Sequence, residues 1–152
     1  MLREQINDGL KAAMKAKDAR RVSTLRLVNS GIKNADIEAR GGGKEPLADD
    51  ALLGLLQKMI KQRQESVELY DKGGRPELAA QEREEIEIIT AFLPKQMDEG
   101  EAHAAIEAVV KETGATSVKD MGRVMAALKE RYAGQMDFGR ASGAVKQILS
   151  GS

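Results

Sequence analysis

The 152-residue chain has no cysteine, no tryptophan, three prolines and one histidine, and Phe and Tyr make up only 3% of it. Without cysteine there is no disulfide, no thiolate metal ligand and no thiol nucleophile. No run approaches the roughly 20 apolar residues that a membrane-spanning helix needs, so no membrane partner is expected. The opening stretch MLREQINDGLKAAMKAK has no continuous apolar segment and carries Glu4 and Asp8, unlike a secretory or transit leader, which predicts a cytoplasmic protein. The scarcity of aromatics leaves any core to Leu, Ile, Val, Met and Ala. It also removes the stacking platforms on which proteins lay out RNA bases. Net charge is zero, so nothing in bulk draws the chain to a polyanion.

The charge that is present is segmented. Residues 1–44 carry ten Lys/Arg against five acids, residues 77–107 two against nine, and residues 108–152 seven against four. Apolar residues recur throughout at a helical period, with no alternating strand pattern, and predict an all-α protein. Leu2, Ile6, Leu10 and Met14 mark a first helix. Val22, Leu25, Val28, Ile32 and Ala35 mark a second, from about Asp18 to Ala39, which the glycines and proline of GGGKEP (41–46) end. Asp49 or Asp50 is placed to cap a third, with Leu52, Leu56, Met59, Ile60, Arg63, Val67 and Tyr70 along one side. KGGRP (72–76) stops it, and Pro76 suits the first position of a fourth, ending at FLP (92–94). Three shorter helices follow, capped by Asp98 with Glu101, Ser117 with Asp120, and Asp137. The expected organisation is an N-terminal domain of long antiparallel helices over 1–94 and a three-helix bundle over 98–149.

Motifs for chemistry are weak. GGGK (41–44) lacks the spacing and the preceding strand of a phosphate loop and reads as a flexible connection. His103, with Glu99 and Glu107 four residues to either side, reads as a satisfied surface residue, because a metal site needs three or four converging ligands. The acidic run EREEIEII (82–89) reads as a solvated face instead of a tuned carboxylate pair. Gly122, inside a helix, is expected where another helix crosses closely. No catalytic residue, cofactor or metal is assigned.

The basic positions are more suggestive. Arg26, Asn29 and Lys33 share one face of the second helix, and Lys119 and Arg123 stand four apart beside a helix start. Arg140 and Lys146 lie on the last helix among Gly139, Ser142 and Gly143. Guanidinium, ammonium and amide groups are what phosphate and 2′-hydroxyl recognition uses. Spacing alone favours a wet outer face over RNA contact.

The segments STLRLVNSGIKN (23–34), KQRQESVELYDKGGRPELAAQE (61–82), FLPKQM (92–97), GATSVKDMGRVMAALKERY (114–132) and FGRASGAVKQIL (138–149) together resemble the YqeY-like family of GatB/YqeY proteins. Residues 98–149 are also similar to the C-terminal tail of GatB, the tRNA-binding subunit of a glutamine-dependent amidotransferase. The resemblance implies an all-α protein with a three-helix tail that contacts tRNA, which adds weight to Lys119, Arg123, Arg140 and Lys146. It further implies classification with carbon–nitrogen ligases using glutamine as amido donor, and a setting in an amidotransferase or aminoacyl-tRNA synthetase complex. The large catalytic portion of GatB has no counterpart in 152 residues. Ser142 stands where the family commonly has aspartate, and Phe92 where it commonly has tyrosine. The expectation is a tRNA-associated accessory protein. The competing one is a non-catalytic adaptor that docks a basic partner through residues 77–107.

Overall fold

The computed structural model describes residues 1–43 and 45–151; Lys44, part of the GGGK stretch, and Ser152 lie outside the described residues. Among the described residues there are seven α-helices and no strand. The helices are α1 (Leu2–Lys15), α2 (Ala19–Gly41), α3 (Asp49–Lys72), α4 (Pro76–Thr90), α5 (Glu99–Glu112), α6 (Met121–Tyr132) and α7 (Phe138–Gly151). A 3-10 turn, Val118–Asp120, leads into α6. The chain divides into two compact units, Met1–Leu93 and Pro94–Ser152.

In the N-terminal unit, α3 packs against α4, α1 against α2, and α2 against α4. Their shared core is Leu2, Ile6, Leu25, Val28, Ile32, Leu52, Leu56, Ile60 and Ile89. Each Leu or Ile fully withdrawn from water contributes roughly 1.5–3 kcal/mol, and the fully covered part of this core is aliphatic, with Phe92 packed against it. The stripe on α1 differs from expectation near its end: Met14 is exposed and Ala13 is buried. An ideal helix advances 100° per residue, so a strict four-residue repeat drifts off the buried face after three turns.

Helix starts follow the capping residues in most cases. The Asp18 carboxylate accepts from the Arg21 N–H, and Pro76 stands in the first turn of α4. The start of α3 is an exception. Its cap is Ala48, with Asp49 and Asp50 inside the first turn, and the Asp49 carboxylate accepts from Leu2 N at 3.4 Å instead. The second helix runs two residues beyond Ala39, taking in Gly41 before the chain breaks.

Close approach in this unit occurs at Gly9. A Cβ there would come within 3.0 Å of the Phe92 ring and 3.6 Å of Leu25. At Gly122 it would meet nothing within 4 Å, so the expected crossing helix is absent and the residue faces open space.

The acidic run on α4 is not uniformly solvated. Glu85 turns inward, buried, and its carboxylate accepts from Arg63 Nε at 3.0 Å; Arg63 also donates to the Met59 carbonyl. Neighbouring Glu82 is half-buried, and burial together with the charge of Glu85 raises its carboxyl above the ordinary range. The amphipathic period of α4 accounts for this, since Glu82 and Glu85 stand on the same side as Ile89.

The C-terminal unit has its own core of Ala105, Ile106, Val109, Val124, Leu128, Met136, Ala141, Val145 and Leu149. Both expected caps at its outer helices are present. Asp98 and Glu101 form a reciprocal capping box, and Asp137 accepts from Gly139 N at 2.8 Å and Arg140 N at 3.3 Å. Leading into α6, Asp120 accepts from the N–H groups of Thr116 and Ser117, which hold its carboxyl below the ordinary range with help from Arg123.

Candidate functional site

The seven basic and amide positions singled out in the sequence are divided between the two units. In the C-terminal unit, Lys119 lies on the 3-10 turn, exposed, with no carboxylate partner among the described residues. Arg123, near the start of α6, forms an ion pair with Asp120 at 3.2 Å. That pair is more than half exposed on the arginine side, and such surface pairs contribute about 0–1 kcal/mol, so the guanidinium is available to another anion. Arg140, in the first turn of α7, has a side chain 80% exposed and reaches Glu99 only at 3.9 Å. Lys146 is exposed and unpaired among the described residues. Six residues separate it from Arg140, which on a helix puts the two roughly 120° apart. They therefore do not form one stripe. Elsewhere in the unit Arg131 pairs with Glu112, and His103 with Glu107 at 2.8 Å. His103 thus sits as expected, on the surface beside a carboxylate.

In the N-terminal unit, Asn29 and Lys33 line an open groove of about 520 Å³ between α1 and α2, and Arg26 stands one turn back along α2. The other side of the groove comes from Arg3 and Asn7 of α1, and its far end from Asp36, Ile37 and Arg40. Asn29 Nδ2 donates to Asn7 Oδ1 at 3.3 Å. Arg3 grips Asp36 with both terminal nitrogens, at 2.7 and 2.8 Å, and also donates to the Leu47 carbonyl at 2.8 Å. Asp36 in turn accepts from Leu47 N at 3.0 Å. Held first by Arg3 and then by this backbone N–H, the Asp36 carboxyl is lowered from 3.8 to about 2. Sequence reasoning missed Arg40, although it follows Lys33 by seven residues on the same face. It could not have found Arg3 and Asn7, which arrive from another helix.

Among the described residues, no three His, Cys, Asp or Glu side chains converge to hold a metal ion, and no helix is long and apolar enough to cross a membrane.

The sequence model of the family described as Yqey-like protein matches residues 3–149. Similar curated proteins carry the name Altered inheritance of mitochondria protein 41, mitochondrial. The one from Lachancea thermotolerans is 45% identical over 84 residues, 55% of this chain and 43% of its own length. The one from Eremothecium gossypii is 35% identical over 88 residues, 58% and 46% respectively. The chain thus spans under half the length of these two. The one from Pyrenophora tritici-repentis is 31% identical over 129 residues, 80% of this chain and 68% of the relative. These names overturn the expectation of a cytoplasmic protein, which rested on a default and on an opening stretch that says little about compartment. With nearly its whole length matched and its helices in the expected order, the chain belongs to the YqeY-like family.

Proposed function

We propose that this protein is a tRNA-associated accessory protein whose C-terminal unit meets the sugar–phosphate backbone through Lys119, Arg123, Arg140 and Lys146. The observation that carries this reading is the state of those cations. Lys119 and Lys146 are unpaired among the described residues, Arg140 is held only at 3.9 Å, and Arg123, itself exposed, is held by the one partly covered carboxylate of Asp120. Gly122 and Gly143 add open backbone, since a Cβ at either would meet nothing within 4 Å. The similarity of residues 98–149 to the tRNA-binding tail of GatB supplies the RNA class. Because the cations do not share one face, contact follows the shape of a folded RNA instead of a straight duplex edge. Any carbon–nitrogen ligase chemistry belongs to a larger amidotransferase assembly in which this chain takes part.

The test is binding of the purified chain to total and organellar tRNA across a salt titration. Four phosphate contacts predict a log–log slope of about −3 to −4. Substituting Arg123→Ala with Arg140→Ala should lower affinity alike for all tRNAs and reduce the slope by about 1.4–1.8. Absence of binding at low salt, together with a protein partner that survives nuclease treatment, would replace this reading with that of an adaptor working through residues 77–107.

A further inference from the structure

The groove between α1 and α2 joins three properties. It is open, with a volume of about 520 Å³. Asp36, the one carboxylate lining it among the described residues, is neutralised, with both oxygens occupied by Arg3 and the Leu47 N–H. Lys33 and Arg40, which also line it, make no ion pair within 4 Å among the described residues, although the charge of Arg40 also helps to keep Asp36 ionised. Once Arg3 and Asp36 cancel, the lining keeps two positive charges and no negative one. Seven residues separate these cations on α2, about 10 Å along the helix axis, so they are strung along the groove instead of converging on one spot. Across from them on α1, exposed Asn7 accepts through Oδ1 from the Asn29 amide at 3.3 Å.

We propose that this groove is a second RNA contact, taking successive phosphates of a sugar–phosphate backbone between Lys33 and Arg40, with the Asn7–Asn29 pair on the hydroxyl side. The proposal rests on the RNA reading above and adds a site in the N-terminal unit. A strand fits better than a small phosphorylated ligand for two reasons. A single phosphate cannot satisfy two cations spaced along a channel unless both side chains bend inward. An open groove also leaves a small ligand wet on one side, whereas bound small molecules are usually buried over most of their surface. The Arg3–Asp36 grip has a different task. It fixes the groove end by tying α1, α2 and Leu47 together, so Arg3 is not counted among the phosphate contacts.

The experiment uses the full chain with Lys33→Ala and Arg40→Ala combined, beside the Arg123→Ala, Arg140→Ala pair. Both substituted positions in the groove are exposed, so the melting temperature of the groove variant should match wild type; this is measured first. With tRNA, the groove variant should lose affinity and reduce the salt slope by about 1.4–1.8, leaving the contribution of the C-terminal unit in place. An unchanged affinity and slope, while the C-terminal variant loses both, overturns the groove and leaves the C-terminal site standing. The reverse pattern supports the groove and removes the C-terminal site. No tRNA binding by wild type overturns both. Competition decides the ligand source: a short RNA oligonucleotide should displace tRNA from the wild-type groove far better than a mononucleotide or inorganic phosphate at equal phosphate concentration. Equal displacement by the mononucleotide would overturn a strand as the occupant.

Discussion

Arg63 stands on a side of α3 that otherwise presents Leu52, Leu56 and Ile60 to the core, and a cation can occupy that place because Glu85 of α4 meets it at 3.0 Å. The pair is well covered, with side chains 13% and 9% exposed. Removing one partner strands the other charge away from water, which costs more than the pair itself contributes. Arg63→Met should therefore destabilise the protein by on the order of 3 kcal/mol, and adding Glu85→Gln should recover much of that loss. Urea unfolding of the two variants checks this; a single variant as stable as the double would sink it. The period of α3 in the sequence already put Arg63 among inward residues. Its partner was not legible, because Glu85 lies in a run of acids that differ only in their helical phase, and that phase becomes visible only once α4 is seated on α3.

Among the elements, glycine separates close packing from mere tolerance. Gly54 lies inside α3, where an added Cβ meets nothing, so Gly54→Ala should stabilise by about 0.5–1 kcal/mol through helix propensity alone. Gly9 lies inside α1 with the Phe92 ring 3.0 Å from where that Cβ would be. Gly9→Ala should forfeit the same gain and come out neutral or destabilising, and thermal melts of the two side by side would refute the distinction if both rose equally. The helices themselves were largely readable. Asp18, Asp98, Asp137 and Pro76 marked starts because caps act locally, through groups one turn away. The sequence was least informative at Gly9 and Gly122, where the meaning of a glycine depends on what another part of the chain brings against it. The same holds for the groove: Lys33 and Asn29 were legible from α2, and Arg3 and Asn7 were not.

For the whole molecule, the carboxylates that hold elements together set its response to acid. Asp36, lowered to about 2, serves the N-terminal unit, and Asp98 and Asp120, also lowered by the N–H groups they accept from, serve the C-terminal one. A carboxyl held low in the folded chain contributes stability above its ordinary value near 4 and loses it as pH falls through the folded value. The N-terminal unit should therefore weaken from about pH 4 to about pH 2, and the C-terminal one should begin to weaken as pH falls below about 4. Glu82 works the other way, its raised value favouring the folded chain once it is protonated, but it is one group against several. Asp36→Asn should lower the melting temperature at neutral pH, and its difference from wild type should close across that acid window. A constant difference down to pH 2 would show that Asp36 does not titrate as described. The division of candidate contacts between two units was visible in the charge segmentation. Which of those charges stay unpaired was not, because pairing is settled by distances that no sequence states.

Residues just after Leu93 are stitched to the loop before α7: Gln96 Nε2 donates to the carbonyls of Pro94 and Gly134, and Met97 N donates to the Gln135 carbonyl at 2.9 Å. Anyone dissecting the chain into pieces for spectroscopy or crystallisation inherits a rule from this. A fragment cut at the start of α5 would discard two hydrogen bonds of that seam and leave the carbonyls of Gly134 and Gln135 without these donors, whereas one cut at Pro94 carries its own closure with it.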